Sequence, residues 1–264
     1  MARISVLMGI YNCAPYLQQA LDSLYAQTYQ DFEIILCDDG SADATYAVAS
    51  ENAAAHANIT LIRNERNMGL NYTLNRCLLL ADTEYCARMD GDDISLPDRF
   101  EKEIGFLDAH PEYAIVSTPM KYFDADGVFR TGRGGGEPAV KDFPKGTPFC
   151  HAPCMVRTQA YKAVGGYSVS DKLLRVEDYH LWIKMYSSGF RGYVLDEPLY
   201  MMRDDRSAMR RRNFKSRVNE ARVKAMAVRA FHLPLYSYLH CIKPLALGLL
   251  PSGIYSYLRK IKNG

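Results

Sequence analysis

Three short runs of carboxylates have the residue types and spacing that could do chemistry in this chain of 264 residues. They are Asp38-Asp39-Gly40-Ser41, Asp90-Gly91-Asp92-Asp93 and Glu177-Asp178. Asp90 and Asp92 stand two apart, so on an extended segment they point the same way, and Gly91 lets a ligand approach the backbone. Such hard oxygen ligands suit Mg²⁺ or Mn²⁺ together with a substrate phosphate. The runs therefore favour a metal–nucleotide site over the plainer alternative, polar turns that cap the following helices.

The elements that must position these acids alternate between strand-like and helix-like stretches up to residue 118. The pattern predicts strands over residues 4–10, 32–37, 59–63, 85–89 and 113–118, with helices between them over 43–56 and 70–81 and others opened by Pro15 and by Ser95 as N-cap. This alternation predicts βαβ units, a mostly parallel sheet and an α/β fold. In such a sheet ligands bind beyond the carboxyl ends of the strands, where the first two acidic runs stand.

Residues 119–202 are less regular. Asp124-Ala125-Asp126-Gly127 predicts a hairpin turn, and residues 131–148, rich in Gly, Pro and Lys, predict a mobile loop. That loop either closes over a bound donor or is a disordered insertion. A helix is predicted near residues 177–188, where Asp178 shares a face with Leu181 and Trp182. Its carboxylate is therefore either a helix cap or a functional group directed into a cleft.

Composition and charge describe a globular chain with two unlike parts. Hydrophobic residues make up 48% and charged residues 23%, which excludes a disordered or fibrous chain. The formal net charge of +2 hides an uneven division: residues 1–202 hold 18 Lys and Arg against 27 Asp and Glu, whereas residues 203–264 hold 14 against 3. An acidic body with a basic tail indicates one part that handles cations or a metal-bound ligand and another that meets an anionic surface.

The seven cysteines show no framework spacing, so buried or free thiols are expected. Cys150 and Cys154 flank His151 like half of a zinc site, but no second half is evident. His151 itself is interpreted as a structural histidine rather than a catalytic one. The apolar run over residues 4–11 is too short for a signal peptide. These features predict a protein of the reducing cytosol.

The basic tail predicts contact with a membrane surface. Nine Lys and Arg crowd into residues 203–224, where Phe214, Val218, Ala221, Ala225 and Val228 form the apolar stripe of an amphipathic helix. The longest uncharged stretch beyond it, residues 244–258, is shorter than the roughly 20 residues that span a bilayer. Helices lying in the membrane interface are the better interpretation. The alternatives are a helical pair packed on the catalytic domain or a homodimer contact.

Taken in order, several motifs resemble the inverting glycosyltransferases of family 2, which have the GT-A fold. The resemblance covers residues 4 to about 212. The motifs are Ser5-Val6-Leu7-Met8 with Tyr11-Asn12, Gln27-Thr28-Tyr29 before Asp31-Phe32-Glu33, Asp38-Asp39-Gly40-Ser41, Asn67-Met68-Gly69, Asp90–Asp93 with Pro97-Asp98-Arg99, Gly165-Gly166-Tyr167, and Glu177-Asp178 before Leu181-Trp182. Each motif alone is weak, whereas the ordered set is highly specific.

The resemblance implies a nucleotide-sugar site in the first half of the chain. In it Tyr11 lies against the base, and Asp39 accepts a hydrogen bond from a uracil-like N–H. Further donor-binding residues implied by the resemblance are Asn67, Arg88, Asp90 and Asp92. It implies that either Asp92 or Asp93 ligates Mn²⁺ or Mg²⁺.

On the acceptor side, the resemblance makes Asp178 the catalytic base, with Glu177 supporting it or contacting the acceptor. Many relatives carry a histidine, sometimes a metal ligand, after the segment that matches Leu199-Tyr200. This chain has Met201-Met202-Arg203 there instead, so that histidine ligand is absent.

The resulting prediction is a GT-A domain over residues 1–212, with a nucleotide-sugar half over 1–118 and an acceptor half over 119–212, followed by C-terminal helices over 213–264. The function expected is transfer of a sugar from a UDP-type donor to a glycan or lipid-linked acceptor in surface polysaccharide synthesis, at the inner face of the cell membrane. The alternatives are a nucleotidyltransferase, a non-catalytic relative, and a protein that binds through its Arg-rich tail. Nucleic acid is not expected as a partner, because the acidic body would repel a long polyanion.

Overall fold

The computed structural model describes residues 2–204 and 214–249. Within these ranges the chain forms eleven strands and eight α-helices. The strands are β1 (Ile4–Ile10), β2 (Phe32–Asp38), β3 (Ile59–Arg63), β4 (Tyr85–Arg88), β5 (Ile94–Ser95), β6 (Ile115–Ser117), β7 (Met120–Asp124), β8 (Gly127–Thr131), β9 (Met155–Arg157), β10 (Gly192–Val194) and β11 (Tyr200–Arg203). The helices are α1 (Ala14–Tyr25), α2 (Thr45–Ala55), α3 (Leu70–Leu80), α4 (Arg99–Ala109), α5 (Thr158–Val164), α6 (Glu177–Ser187), α7 (Phe214–Ala230) and α8 (Leu239–Leu249).

Seven of the strands form one sheet in the order β10–β6–β9–β4–β1–β2–β3. Neighbouring strands run parallel except at β9, which is antiparallel to both β4 and β6. The mostly parallel α/β sheet predicted from the sequence is therefore confirmed. The reversed β9 arrives from the second half of the chain and separates the fourth and fifth predicted strands, which a simple βαβ succession would not do.

Helices cover both faces of this sheet because its central strands are apolar on both sides. Successive residues of β1 enter different cores: Val6 and Met8 pack with Leu17 of α1, whereas Leu7 packs with Leu74 of α3. All five side chains are completely buried. This double burial fixes the register of β1 and with it the position of the residues that follow its carboxyl end.

A second, smaller sheet begins directly after the Asp90–Asp93 run and has the order β5–β11–β7–β8. The hairpin predicted at residues 124–127 is confirmed, since β7 and β8 pair antiparallel across it. The prediction for Ser95 was wrong: Ser95 lies in β5 opposite Tyr200, and α4 begins only at Arg99. Pairing with β11 thus outweighs the local sequence preference, which favours Ser95 as a helix cap.

The segment over residues 131–148 is more ordered than the predicted loop. Gly136 pairs with Val194 beside β10, and a 3₁₀ helix spans Val140–Lys145. Phe143 of this helix is buried against Tyr186 and Phe231. The second half of the segment over residues 131–148 is therefore packed against the rest of the protein.

Helix α7 packs on the α/β part of the molecule, since its Val223 and Ala227 belong to the same core as Trp182 of α6. The predicted apolar stripe was only partly right, because Phe214 is exposed, and the buried face includes Arg217 and Lys224. The predicted domain boundary at residue 212 lies outside the described residues. Neither residues 2–204 nor residues 214–249 contain a helix long and apolar enough to span a membrane.

Candidate active site

The carboxyl ends of β4, β1 and β2 lie side by side at one edge of the larger sheet. Tyr11 follows β1, Asp38 ends β2 with Asp39 directly after it, and Asp90 lies two residues beyond β4. The backbone N–H of Asp39 donates to the carbonyl of Ile10 at 2.8 Å, which joins the first two strand ends. The fold therefore brings the two N-terminal acidic runs to a common edge.

Asp39 is buried and organises the loop that follows β3. Its carboxylate accepts hydrogen bonds from the backbone N–H groups of Met68 at 2.8 Å and Gly69 at 2.9 Å, and from the amide of Asn64 at 2.7 Å. A carboxylate has about four lone-pair sites, so three bonds leave room for one further donor such as an imide N–H. Asn67, in the same loop, is exposed.

Tyr11 presents its ring at the surface, with 46% of the residue exposed. The next residue, Asn12, has a left-handed backbone with φ of 48°. It donates from its backbone to Ser41 Oγ and accepts at its side chain from the backbone of Ala42. These bonds hold Tyr11 beside the Asp39 loop, where a planar base could stack on its ring.

Arg88, the last residue of β4, is buried beneath the second acidic run. Its Nη2 donates to Oδ1 of Asp90 at 2.6 Å, and its carbonyl accepts from Nη2 of Arg99 at 3.0 Å. Within the described residues, Nε and Nη1 of Arg88 have no hydrogen-bond partner. Buried donors without a partner are costly, and each calls for an explanation such as a catalytic role or a bound ion.

The neighbouring acids Asp92 and Asp93 have different surroundings. Burial, with repulsion from Asp90, raises the pKa of Asp92 to about 6 and that of Asp93 well above its usual range. Asp93 is buried and accepts from the backbone N–H of Arg203 at 2.8 Å, so its carboxylate fastens β11 to this edge. Asp92 is only partly buried, which leaves its carboxylate the more accessible of the two.

A divalent cation fits this chemistry although the protein offers few ligands. Among the residues described, no three His, Cys, Asp or Glu side chains are gathered closely enough to hold a metal ion by themselves. Mg²⁺ and similar ions are often held by one or two carboxylates plus substrate phosphates. A bound cation would also reduce the repulsion between carboxylates such as Asp90 and Asp92. In the segment where the resemblance implies a histidine, Nε of Arg203 donates to the carbonyl of Asp92 at 3.0 Å.

Glu177 and Asp178 form the first turn of α6. Burial raises the pKa of Asp178 to about 7, with repulsion from Glu177 as the second cause, and burial also raises the pKa of Glu177. A carboxylate that titrates near neutrality can take up a proton at the working pH, as a general base must. As predicted, Leu181 and Trp182 on the following turn are completely buried.

Arg88 lies close enough to act on both groups of acids. Its positive charge lowers the pKa values of Asp92, Glu177 and Asp178 against the stronger effect of burial. The N-terminus of α6 and the carboxyl end of β4 are therefore close enough for Arg88 to influence the acids of both, although they lie in different halves of the chain.

His151 has a structural environment, as interpreted from the sequence. It shares a 2.7 Å hydrogen bond with the hydroxyl of Tyr167, and burial lowers its pKa well below the usual value. All seven cysteines are unpaired thiols. With its pKa lowered and its Nε2 engaged by Tyr167, His151 is held neutral.

The sequence patterns did not predict a cavity of about 280 Å³ that Asp178 shares with helix α7. Its wall includes Arg175, Arg217 and Lys224. A signal was present, since Arg217 and Lys224 stand seven residues apart and so lie on one helix face with Ala221. The sequence pattern instead favours a membrane-facing surface for the basic residues of the tail, with a helical pair packed on the domain as an alternative.

Comparison with known proteins agrees with this arrangement. The family model named Glycosyl transferase family 2 matches residues 5–165. EpsE of Bacillus subtilis strain 168, whose name classes it as a glycosyltransferase, is 40% identical over 259 residues, which cover 98% of this chain and 93% of EpsE. An Escherichia coli UDP-Gal:α-D-GlcNAc-diphosphoundecaprenol β-1,3-galactosyltransferase is 28% identical over 273 residues, covering 98% of this chain and 95% of that enzyme.

Solved structures show the same fold. TarS 1–349 of S. aureus, in complex with UDP-GlcNAc, matches with a TM-score of 0.70 at 21% identity and covers 94% of this chain and 72% of that one. The mannosyltransferase PcManGT from Pyrobaculum calidifontis, in complex with GDP-Man and Mn²⁺, matches with a TM-score of 0.65 at 19% identity, covering 98% and 79%. The GT-A fold expected from the sequence is confirmed.

Proposed function

The chain belongs to glycosyltransferase family 2, and from this premise we propose that it is an inverting enzyme that transfers a sugar from UDP to a hydroxyl group of a lipid-linked glycan. The observation that carries the proposal is Arg88, which is buried at the end of β4, donates to Asp90 at 2.6 Å and has two further N–H groups without a partner among the described residues. Its charge also lowers the pKa of Asp178. The acids at the strand ends would contact the donor, and the Glu177–Asp178 pair would contact the acceptor.

On the donor side, the remaining lone pair of Asp39 suits the imide N–H of uracil, and the exposed ring of Tyr11 suits its face. Asn67, Arg88, Asp90 and Asp92 would complete the donor site. UDP is the proposed nucleotide because the name of the E. coli relative specifies UDP-Gal and TarS was solved with UDP-GlcNAc. These residues would bind and orient the donor, and they do not determine which sugar it carries.

Asp92 would hold the divalent cation, because Asp93 is already engaged with the backbone of Arg203. When bound, Mn²⁺ or Mg²⁺ supplies Lewis-acid stabilisation of the charge that develops on the departing diphosphate. PcManGT, with its Mn²⁺, supports a cation in this fold. The unsatisfied N–H groups of Arg88 would add hydrogen bonds to the donor from below.

Asp178 would take the proton from the acceptor hydroxyl as that oxygen attacks the anomeric carbon of the donor sugar. General-base assistance of this kind contributes roughly 10²–10⁴-fold to the rate. Attack from the side of Asp178, opposite the departing diphosphate, inverts the anomeric configuration. Glu177 would keep the pKa of Asp178 high by repulsion, and thus keep the base matched to neutral pH.

A lipid-linked acceptor is proposed from the E. coli relative, whose name gives GlcNAc-diphosphoundecaprenol as its acceptor. The segment after α7 supports peripheral contact with the inner face of the cell membrane. Its apolar patch consists of Leu235, Tyr236, Leu239 and Ile242, each more than half exposed. Apolar side chains beside a basic helix are typical of interfacial membrane binding.

The test is a screen of nucleotide sugars for thermal stabilisation and turnover, with and without Mn²⁺, on the wild type and Asp178→Asn. We expect one donor to stabilise both proteins in the presence of Mn²⁺ and turnover to disappear in the variant. Absence of stabilisation by every nucleotide sugar in the presence of metal would contradict the proposal.

A further inference from the structure

The cavity beside Asp178, named here the α7 cavity, has walls from three parts of the chain. Residues 146–147 follow the 3₁₀ helix, residues 175–179 lead into and begin α6, and residues 216–224 belong to α7. Asp178 is therefore shared by the reaction site and by this cavity. Any acceptor that reaches Asp178 with one hydroxyl group has this cavity within reach of its remaining parts.

The charge of the α7 cavity favours an anion. Three cationic side chains line it, those of Arg175, Arg217 and Lys224, against the carboxylates of Glu220 and Asp178. Glu220 lies between Arg217 at 3.4 Å and Lys224 at 3.5 Å. Arg217 and Lys224 are both buried, and a buried charge is costly unless it is neutralised. Of the described residues that line this cavity, three are cationic and two are carboxylates.

The cationic groups are fixed in place before any ligand arrives. Nζ of Lys224 donates to the carbonyl of Lys145 at 3.3 Å, which ties α7 to the 3₁₀ helix. The amide of Asn219 donates to the carbonyls of Asp171 and Leu174 at 3.1 and 3.3 Å, which ties α7 to the segment before Arg175. Such preorganisation lowers the cost of binding an anion.

Helix α8 closes the outer side of Arg217. Gly248 lies so close that a Cβ atom there would be 3.2 Å from Cγ of Arg217 and 3.0 Å from Cδ2 of Phe214. The apolar patch at residues 235–242 covers the short segment before α8 and the first turn of α8. Helices α7 and α8 thus supply one wall of the cationic cavity and also most of an exposed apolar surface, the two features that a phosphorylated lipid would contact.

We propose that the α7 cavity binds the phosphate groups that join the acceptor sugar to its lipid, with Arg175, Arg217 and Lys224 as the contacting side chains. The inference rests on the proposed function and deepens it by giving the acceptor's phosphates a site separate from the donor's diphosphate. In the proposed function the donor diphosphate would be held at the strand ends, with Asp92 as the residue that would hold the cation, whereas the acceptor phosphates would lie in the cavity that Asp178 lines.

The experiment measures binding of geranyl diphosphate by calorimetry without divalent cations, so that chelation makes no contribution. The wild type should bind it, whereas geraniol, which lacks phosphate, should bind much more weakly. Arg217→Gln should raise the dissociation constant about tenfold or more, as expected for a lost hydrogen bond to a charged group. Arg175→Gln, at an exposed position, should raise it about threefold.

Arg229→Gln is the matched control, because Arg229 is exposed on the last turn of α7 and does not line the cavity. Binding of UDP with Mn²⁺, measured separately, shows that each variant is folded. If Arg217→Gln fails to fold, Arg175→Gln still decides the question. Equal binding of geranyl diphosphate by the wild type and the folded cavity variants would overturn the proposal, as would equal binding of geraniol.

Competition separates this site from the donor site. UDP should leave the binding of geranyl diphosphate unchanged, and displacement by UDP would assign the ligand to the donor site and overturn the proposal. The proposed function fails differently, namely if the wild type neither binds nor uses any nucleotide sugar. Geranyl diphosphate binding is measured without a donor, so the two failures are distinguishable.

Discussion

Nη2 of Arg88 donates a 2.6 Å hydrogen bond to Oδ1 of Asp90 from a position in which almost the whole arginine is buried. Burying a guanidinium costs several kcal/mol, on the order of the penalty for an ion that is not fully compensated. One carboxylate bond leaves Nε and Nη1 without a partner among the described residues. This arrangement makes sense if the arginine completes a site that receives further negative charge.

Replacing Arg88 should change the pH dependence of catalysis. Its charge lowers the pKa of Asp178, so in Arg88→Met that pKa should rise, and the acid limb of kcat/KM should move to higher pH. We also expect kcat/KM to fall by about tenfold or more, because hydrogen bonds to charged groups contribute about 1.5–3 kcal/mol. Arg88→Lys, which keeps the charge, should leave the acid limb close to that of the wild type. An unshifted limb in Arg88→Met would contradict electrostatic coupling between the two groups of acids.

Asp178→Asn should abolish turnover while stabilising the protein at alkaline pH. The pKa of Asp178 is raised from 3.8 to about 7, so the folded state holds a proton that the unfolded state releases between these values. The stability that this proton confers is fully present below pH 3.8 and is lost as pH rises through about 7. The variant should therefore gain free energy of unfolding at pH 8, on the order of 1 kcal/mol or more, and gain little at pH 4.

Chemical denaturation at the two pH values measures this difference, and binding of the donor confirms that the site is intact. Asp171→Asn is a suitable control, since Asp171 is exposed in the 3₁₀ helix before α6. A variant that loses stability equally at both pH values would show that the carboxylate of Asp178 has a structural role.

Much of this site follows from the sequence because its parts are local. Buried strands such as β1 and β2 are continuous apolar runs, and the residues after their carboxyl ends, such as Asp39, meet wherever the strands are adjacent and parallel. The raised pKa of Asp178 does not follow from sequence, because it depends on burial that the whole fold creates.

The C-terminal part shows where sequence patterns stop being informative. Arg217 and Lys224 resemble solvent-exposed charges on a basic helix, yet both are buried, since Glu220 pairs with both and the carbonyl of Lys145 accepts from Lys224. Ser95 resembles a helix cap, yet it pairs with Tyr200, 105 residues later in the chain. In each case a distant partner outweighs the local preference.

Asp92 and Asp93 should respond differently to substitution. Asp92→Asn should raise the Mn²⁺ concentration needed for half-maximal activity, because the more accessible carboxylate is the proposed ligand. Asp93→Asn should leave the Mn²⁺ requirement and the fold unchanged, because its amide oxygen can still accept the 2.8 Å hydrogen bond from Arg203 that fastens β11. Activity is titrated with Mn²⁺ after removal of metal by EDTA, and unfolding is followed in parallel. The assignment is reversed if only Asp93→Asn changes the metal requirement while remaining stable.

Gly40 should tolerate no side chain. Its φ is 68°, and a Cβ atom there would come within 2.6 Å of the backbone of Arg66. Gly40→Ala must therefore displace the loop that Asp39 organises, so we expect weaker UDP binding and a loss of stability of about 1–3 kcal/mol. Gly105→Ala in α4 is the matched control, since a Cβ there meets no atom within 4 Å. It should stabilise the helix by roughly 0.5–1 kcal/mol. Equal UDP affinity in the two variants would show that this loop does not shape the donor site.

The apolar patch after α7 should determine binding to membranes. Leu235 and Leu239 are 83% and 66% exposed, and replacing both by Ser removes apolar area that would enter the bilayer interface. We expect the double variant to sediment several-fold less with vesicles containing anionic lipid, while its hydrolysis of a soluble nucleotide sugar stays unchanged. Leu79→Ser is the control, because Leu79 on α3 is equally exposed, at 85%. If the control reduces sedimentation as much as the double variant does, the patch is not the membrane contact. If only the double variant sediments less, the C-terminal helices bring the site to the membrane surface, where a lipid-linked acceptor lies.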